Sequence, residues 1–255
     1  VNTALLVPFV GTMAKFVERM VPERARISRT GEYELALIAP NLPDALSSNL
    51  ITIRAELALM SRHSTGMLQS VMDASKDPDR LETVRDELEV VEQRVDDMQE
   101  AITGFLTESM RESIGENDAQ YIQAAQRIAH EIEGISDACF SIGILLYRLH
   151  KKGRRIHEDG DQEIFDYTAQ VMLFLKYNED ILERKIDRPE LEVAHELEDG
   201  IDRKRTKLRK RSRKSLERDS KADVRGELIF IDIVRHLEHI GDNCLNISQA
   251  IGQLD

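Results

Sequence analysis

Two stretches of this chain, 105 residues apart, carry the same helical pattern, and no other feature restricts its fold as tightly. Residues 128–142 read IAHEIEGISDACFSI and residues 233–247 read IVRHLEHIGDNCLNI. Ile128/Ile233, Glu133/Glu238, Ile135/Ile240, Asp137/Asp242, Cys139/Cys244 and Ile142/Ile247 are identical without a gap. A second pair of segments aligns at an offset of 106, matching Glu92, Val95 and Asp96 to Glu198, Ile201 and Asp202. Near-equal offsets in two separate segments indicate a duplicated unit.

The unit is helical. Leu46, Leu50, Ile53, Leu57, Met60, Met67, Leu68 and Val71 form one stripe at helical spacing over 44–74. A second stripe, opened by Asp77-Pro78, runs to about Ile114, and a third spans 117–150. After a polar link with Gly153 and Gly160, the pattern recurs over 163–186, 190–220 and 223–253, broken by Arg188-Pro189. Charged residues at 32%, aromatics at 5%, no Trp and only six Pro suit long helices rather than a sandwich or barrel. The expected fold is all-α: two tandem three-helix bundles, 44–155 and 156–255. Residues 23–43, punctuated by Gly31, Pro40 and Pro43, read as a linker. Residues 1–22 are apolar at first and amphipathic from Lys15. The tail of a membrane span and an amphipathic helix over the core both fit that segment.

A formal charge of −12 argues against nucleic acid as a partner. Two Cys in 255 residues imply a reducing compartment without a disulfide framework. Their equivalent positions, Cys139 and Cys244, read as small buried apolar residues.

Duplication places an E-x-x-x-D pair on each of four helices: Glu92/Asp96, Glu133/Asp137, Glu198/Asp202 and Glu238/Asp242. Residues i and i+4 share a helix face, where like charges repel by a few tenths of a kcal/mol. A cation between them reverses that cost, and four carboxylates per repeat supply enough oxygen for a hard or borderline ion. A lone pair means little in so acidic a chain, and solvated helix faces would also carry it. The in-register recurrence favours metal binding, more firmly in the second repeat. There Gly241 permits close approach and Asn246 extends the row, against Ser136 and Ser141 in the first. The only E-x-x-H is Glu192/His195, so a di-iron enzyme of the ferritin type is a weak reading. His236 and His239 read as solvated. No nucleophile elbow, P-loop or dinucleotide fingerprint is present, and no enzymatic activity is expected.

Between 203 and 218 the chain turns strongly basic, with Arg203, Lys204, Arg205, Lys207, Arg209, Lys210, Arg211, Arg213, Lys214 and Arg218. A charge run is usually a solvated face. At this density, docking on anionic inner-leaflet lipid or on an acidic partner is a second expectation.

The segment RHLEHIGDNCLNI, Arg235 to Ile247, resembles the signature of PhoU proteins, regulators of bacterial phosphate uptake; the other E-x-x-x-D pairs are similar to that family. The resemblance implies two symmetric three-helix bundles and metal ions, iron or zinc, on the E/D-x-x-x-D motifs. The opening VNTALLVPFVGTMAKFVERMVP resembles the end of the membrane domain in bacterial sodium/phosphate cotransporters, which carry a PhoU-like C-terminal extension. That implies a regulatory module on the cytoplasmic face of the inner membrane, partnered by its own transport domain and able to form homo-oligomers. A free-standing adaptor acting on an ABC phosphate transporter and a histidine kinase is the alternative, and a metal-dependent helical enzyme is a third.

Overall fold

The computed structural model describes residues 33–35, 37, 45–111, 114–218, 220 and 222–254. The segment 1–22, expected to end a membrane domain, lies outside them, as does most of the linker 23–43. Among the described residues no helix is long and apolar enough to cross a membrane.

Six long helices belong to one compact unit, residues 37–255. They are α1 (Ala45–Ala74), α2 (Leu81–Ser109), α3 (Glu116–Lys151), α4 (Gly160–Leu182), α5 (Leu191–Arg218) and α6 (Val224–Ile251). The all-helical expectation holds for the described elements, and each helix falls on a stripe read from the sequence. The ends differ for local reasons. Asp77-Pro78 opens a short 3-10 turn, Pro78–Arg80, ahead of α2. Helix α4 begins at Gly160 and stops at Leu182, short of Ile186, because Arg184 takes a left-handed φ of 58°. The backbone there closes with Arg184 N–H to Ile181 O and Lys185 N–H to Asp180 O, which satisfies the last free carbonyls. Helix α3 ends on the same device at Gly153, where a left-handed φ of 53° suits glycine.

The two three-helix sets are not separate bodies. Helices α3 and α6, third in each set, make the most extensive contact of any pair. Helix α2 lies against α3 and α5 against α6, so α2–α3–α6–α5 form a row. Helices α1 and α4 pack on α3 and α6 respectively and on each other. Ile128, Ile135, Cys139 and Ile142 are buried, as are their equivalents Ile233, Ile240, Cys244 and Ile247. Both thiols are fully enclosed, and burial raises them far above the ordinary cysteine range, so they serve as core residues. The buried stripe of α5, Ala194, Ile201, Leu208 and Ser212, sits on the positions of Leu88, Val95, Ile102 and Leu106 in α2.

Two polar arrangements hold the second repeat in place. Asn178, 1% exposed, donates to Cys244 O at 2.7 Å and accepts from Ser248 Oγ at 2.6 Å, tying α4 to α6. The link between repeats is clamped by His157. Its Nδ1 meets Glu227 Oε1 at 3.0 Å, its Nε2 meets Glu163 Oε2 at 2.9 Å, and its backbone N–H donates to Glu227 at 2.7 Å. Ser212 Oγ donates to Glu227 at 2.5 Å, and the Phe230 ring packs edge-on to the imidazole. The link presses so close to α6 that a Cβ at Gly226 would clash with Arg155 O. Asp223 caps α6 by accepting from Arg225 and Gly226 N–H, and it holds Arg155 N–H as well.

Candidate functional site

The four carboxylate pairs fall on the two outer seams of the helix row. Glu92 and Asp96 of α2 face Glu133 and Asp137 of α3; Glu198 and Asp202 of α5 face Glu238 and Asp242 of α6. The periodicity explains the placement. Val95 and Ile201 are buried at the centre of each outer helix, and the carboxylate three residues earlier and the one that follows flank the buried face.

At the first seam, carboxylate oxygens of Glu92, Asp96 and Asp137 lie within 4.8 Å of one another. Among the described residues no basic side chain pairs with Glu92, Asp96 or Asp137; His130 meets Glu133 from outside, 3.5 Å away. Burial, then Asp96 and Asp137, pushes Glu92 up to about 7. Burial followed by Asp137 raises both Asp96 and Glu133. Asp96 Oδ1 is buried with no hydrogen-bond partner. The set consists of crowded carboxylates, one with an orphaned oxygen, and no internal counter-charge, so it fits a cation with oxygen ligands.

The second seam has the same carboxylates and a different solution. The Arg205 guanidinium reaches Asp202 at 2.7 Å and also pairs with Glu238. Burial, then Asp242, raises Glu238, and Arg205 pulls it back. Burial raises Asp242, opposed by His239 and Arg205. Glu198 is raised by burial, then Asp202 and Asp242. Gly241 permits the close approach read from the sequence, since a Cβ there would meet Ile201 Cγ2 at 2.9 Å. The sequence reading ranked this seam first; its geometry makes it the less suited, because the Arg205 guanidinium already pairs with two of its four carboxylates. The equivalent of Arg205 in the first repeat is Gln99.

Asn246, expected to extend the second row, belongs elsewhere. Its amide donates to Glu131 at 3.1 Å and accepts from Arg127 at 2.9 Å, both on α3. One helical turn beyond Asp242, it has rotated to the α3–α6 seam. A cleft of ≈ 430 Å³ opens between those helices, and both Asp137 and Glu238 line it, with His236 and His239. The two carboxylate clusters therefore border one cleft. His236 is half-buried there, and its value is lowered by burial first and then by Arg235.

The basic run divides into three groups. Arg205 and Arg211 pair with acids of the same chain, Arg205 with Asp202 and Glu238, Arg211 with Asp159 at 2.7 Å and Glu163 at 2.5 Å, which leaves them less free for docking than the sequence suggested. Arg203 approaches Asp199 at 4.0 Å and Arg213 approaches Glu217 at 3.4 Å, both on the surface. Lys207, Arg209, Lys210, Lys214 and Arg218 are exposed and Lys204 is partly so, and among the described residues none of them has an ion-pair partner. Sequence reading missed the His157 knot altogether. Its only trace was Glu227 at the register of a buried position, equivalent to Ile122.

Comparison with known proteins places this geometry. The PhoU domain family matches residues 57–145 and 171–251, one segment in each repeat. The fold is similar to the crystal structure of PhoU from Pseudomonas aeruginosa, with a TM-score of 0.72 at 17% identity over 81% of this chain and 96% of that one. It is also similar to the phosphate transport system regulatory protein PhoU from Streptococcus pneumoniae, with a TM-score of 0.68 at 13% identity over 82% of this chain and 96% of that one. No curated protein gives a significant match to the chain.

Proposed function

The chain belongs to the PhoU domain family, and from that premise we propose that it is a regulator of phosphate uptake that acts by binding, not by catalysis. The observation that carries the reading is the family match in both repeats, over 57–145 and 171–251. A free-standing adaptor acting on a phosphate transport system is the form we favour. The similar structures are PhoU proteins matched over 96% of their length, and one is titled a phosphate transport system regulatory protein. A PhoU-like extension fused to a sodium/phosphate cotransporter is the second reading. It rests on the resemblance of residues 1–22 to the end of such a membrane domain, and it would put the module at the cytoplasmic face of the inner membrane.

The regulator binds a metal ion at the α2–α3 seam in this reading. Glu92, Asp96, Glu133 and Asp137 would hold it, the orphaned Asp96 Oδ1 supporting the fit. An all-oxygen donor set favours a hard cation such as ferric iron over zinc, which takes nitrogen and sulfur readily. When bound, the ion neutralises the crowded carboxylates and ties α2 to α3. At the α5–α6 seam Arg205 supplies that neutralisation from within the chain.

Phosphate uptake and a phosphate-starvation reporter, followed in cells with and without the gene, test the regulatory role. Uptake and reporter output should both depend on the gene. Identical output in both strains, in replete and starved medium alike, would remove this reading. Metal analysis of protein purified without chelator separately tests the ion: Asp96→Asn and Asp137→Asn should lose it, and Asp242→Ala should keep it.

A further inference from the structure

Helices α2 and α5 are equivalent, yet only α5 carries the cationic run. Arg205, Arg209, Lys210 and Arg213 correspond to Gln99, Thr103, Gly104 and Thr107. Helix α2 holds its place without any of those charges. What the fold needs at this position is the buried stripe of Ile201, Leu208 and Ser212, matched by Val95, Ile102 and Leu106. The outer cations of α5 are therefore not required by the fold. Ten cations on one helix of a chain with net charge −12 also cost repulsion, which a bound anion would relieve.

Their placement is concave. Arg205, Arg209, Lys210 and Arg213 line a cleft of ≈ 620 Å³ between α5 and α6, floored by Leu216 and Ile231. Thr206 adds a hydroxyl at its edge. The volume falls in the range of small-molecule sites. Arg205 is engaged by Asp202 and Glu238, and Arg213 has only the exposed Glu217. Arg209 and Lys210 have no ion-pair partner among the described residues. Positions 205, 209 and 213 are one helical turn apart, so the guanidinium groups climb the helix in steps of about 6 Å. Guanidinium forks bind phosphate oxygens in pairs, which favours arginine for phosphate recognition.

We propose that the α5–α6 cleft is a binding site for a phosphate-bearing polyanion, held by Arg209, Lys210 and Arg213. Linked phosphates can engage successive turns of the helix at once, whereas a single orthophosphate can engage one. The same chemistry is offered by a free condensed phosphate and by anionic phospholipid head groups. The cleft adjoins the α5–α6 carboxylate seam at Arg205, and anion binding through Arg209, Lys210 and Arg213 does not depend on metal binding at either seam.

Isothermal titration with sodium tripolyphosphate in metal-free buffer tests it, since chelation then adds no heat. One tripolyphosphate should bind per chain, more tightly than orthophosphate and more weakly as salt is raised. The triple variant Arg209→Gln/Lys210→Gln/Arg213→Gln should weaken it by about tenfold or more, a loss of ~1.4 kcal/mol. Lys207→Gln/Lys214→Gln/Arg218→Gln removes the same charge from the other edge of the helix. This control should weaken binding by no more than about threefold. All six residues are exposed, so both variants should keep the wild-type helical spectrum and melting point. Phosphatidylglycerol vesicles that displace tripolyphosphate, where phosphatidylcholine vesicles do not, would identify a lipid head group as the source. Failure to displace would identify a free anion. Equal losses in the two triple variants would reduce the cleft to diffuse charge and overturn the proposal. So would the absence of binding at low salt, or preferential binding of a short DNA duplex through the same residues.

Discussion

Helix α2 buries Leu81, Val84, Leu88, Val95, Met98, Ile102 and Leu106, whereas α5, its equivalent 106 residues on, buries only Ala194, Ile201, Leu208 and Ser212. The lost apolar contacts are replaced by polar ones. Arg205 ties α5 to α6, Arg211 ties it to Asp159 and Glu163, Ser212 donates to Glu227, and Tyr167 donates to Ile201 O. Among the described residues the first repeat has a cluster of carboxylates with no cationic side chain between them; the second supplies Arg205. Duplication preserved the buried register, which sets where each helix lies, and left the outward positions free to take on separate tasks.

The sharpest break in that comparison is at Glu227, which is 1% exposed where the first repeat has Ile122. Removing it as Glu227→Ala takes the partner from Ser212 Oγ and from the Nδ1 and backbone N–H of His157. The expected loss is about 3–5 kcal/mol in urea unfolding. A loss below about 1 kcal/mol would mean that the knot does not hold the second repeat together.

Next come reciprocal exchanges at the equivalent positions 99 and 205. Arg205→Gln leaves Asp202 and Glu238 without their cation and should destabilise the metal-free protein by about 1–2 kcal/mol. It should also let the second seam take up an ion. Gln99→Arg should lower the metal content of the first seam by supplying the guanidinium that the second already has. Unchanged metal stoichiometry in both variants would show that Arg205 is not what distinguishes the seams.

A smaller effect is expected with pH. Glu92 of α2 is faced by Asp96 on its own helix and by Glu133 and Asp137 on α3, and its folded value of about 7 exceeds the ordinary 4.5. The folded chain then holds a proton that the unfolded chain has released. The associated stability is complete below the unfolded value and is lost as pH rises through about 7. Tm of the chelator-treated protein should therefore fall as pH rises across this window. Glu92→Gln should flatten the slope more than Glu238→Gln, whose carboxylate Arg205 already offsets. A slope that steepens in Glu92→Gln would contradict the uncompensated first seam.

The smallest effect belongs to the surface. Arg213 and Glu217 are both well exposed, so Arg213→Gln should change stability by less than about 0.5 kcal/mol while still weakening tripolyphosphate binding. A larger change in thermal unfolding would mean that α5 depends on its outer face.

Much of this architecture could be read before any coordinates. The stripes over 44–74, 117–150 and 223–253 are local signals at helical period, and each lies on a helix of nearly those bounds. The carboxylate columns were equally legible, because i and i+4 share a face wherever the helix is placed. Arg205 was not. It lies three residues beyond Asp202, within a run that reads as solvated, and only the approach of α6 turns it to Glu238. Asn246 was misassigned for the same reason. Its spacing from Asp242 is right, but four residues of a 3.6-period helix rotate the side chain toward Arg127 and Glu131 on α3.

By itself, the sequence determined that this chain is helical, that it is built twice, and which carboxylates meet in pairs along each helix, because those properties depend on spacing within one segment. The tertiary structure alone decided that α3 and α6 join the repeats into one body and that one seam receives an arginine while the other does not. It also decided that the cations of α5 divide between internal acids and an open cleft. Those outcomes depend on which helix lies beside which and at what rotation, and a polar side chain's partner across a seam is set by that approach rather than by its neighbours in the chain.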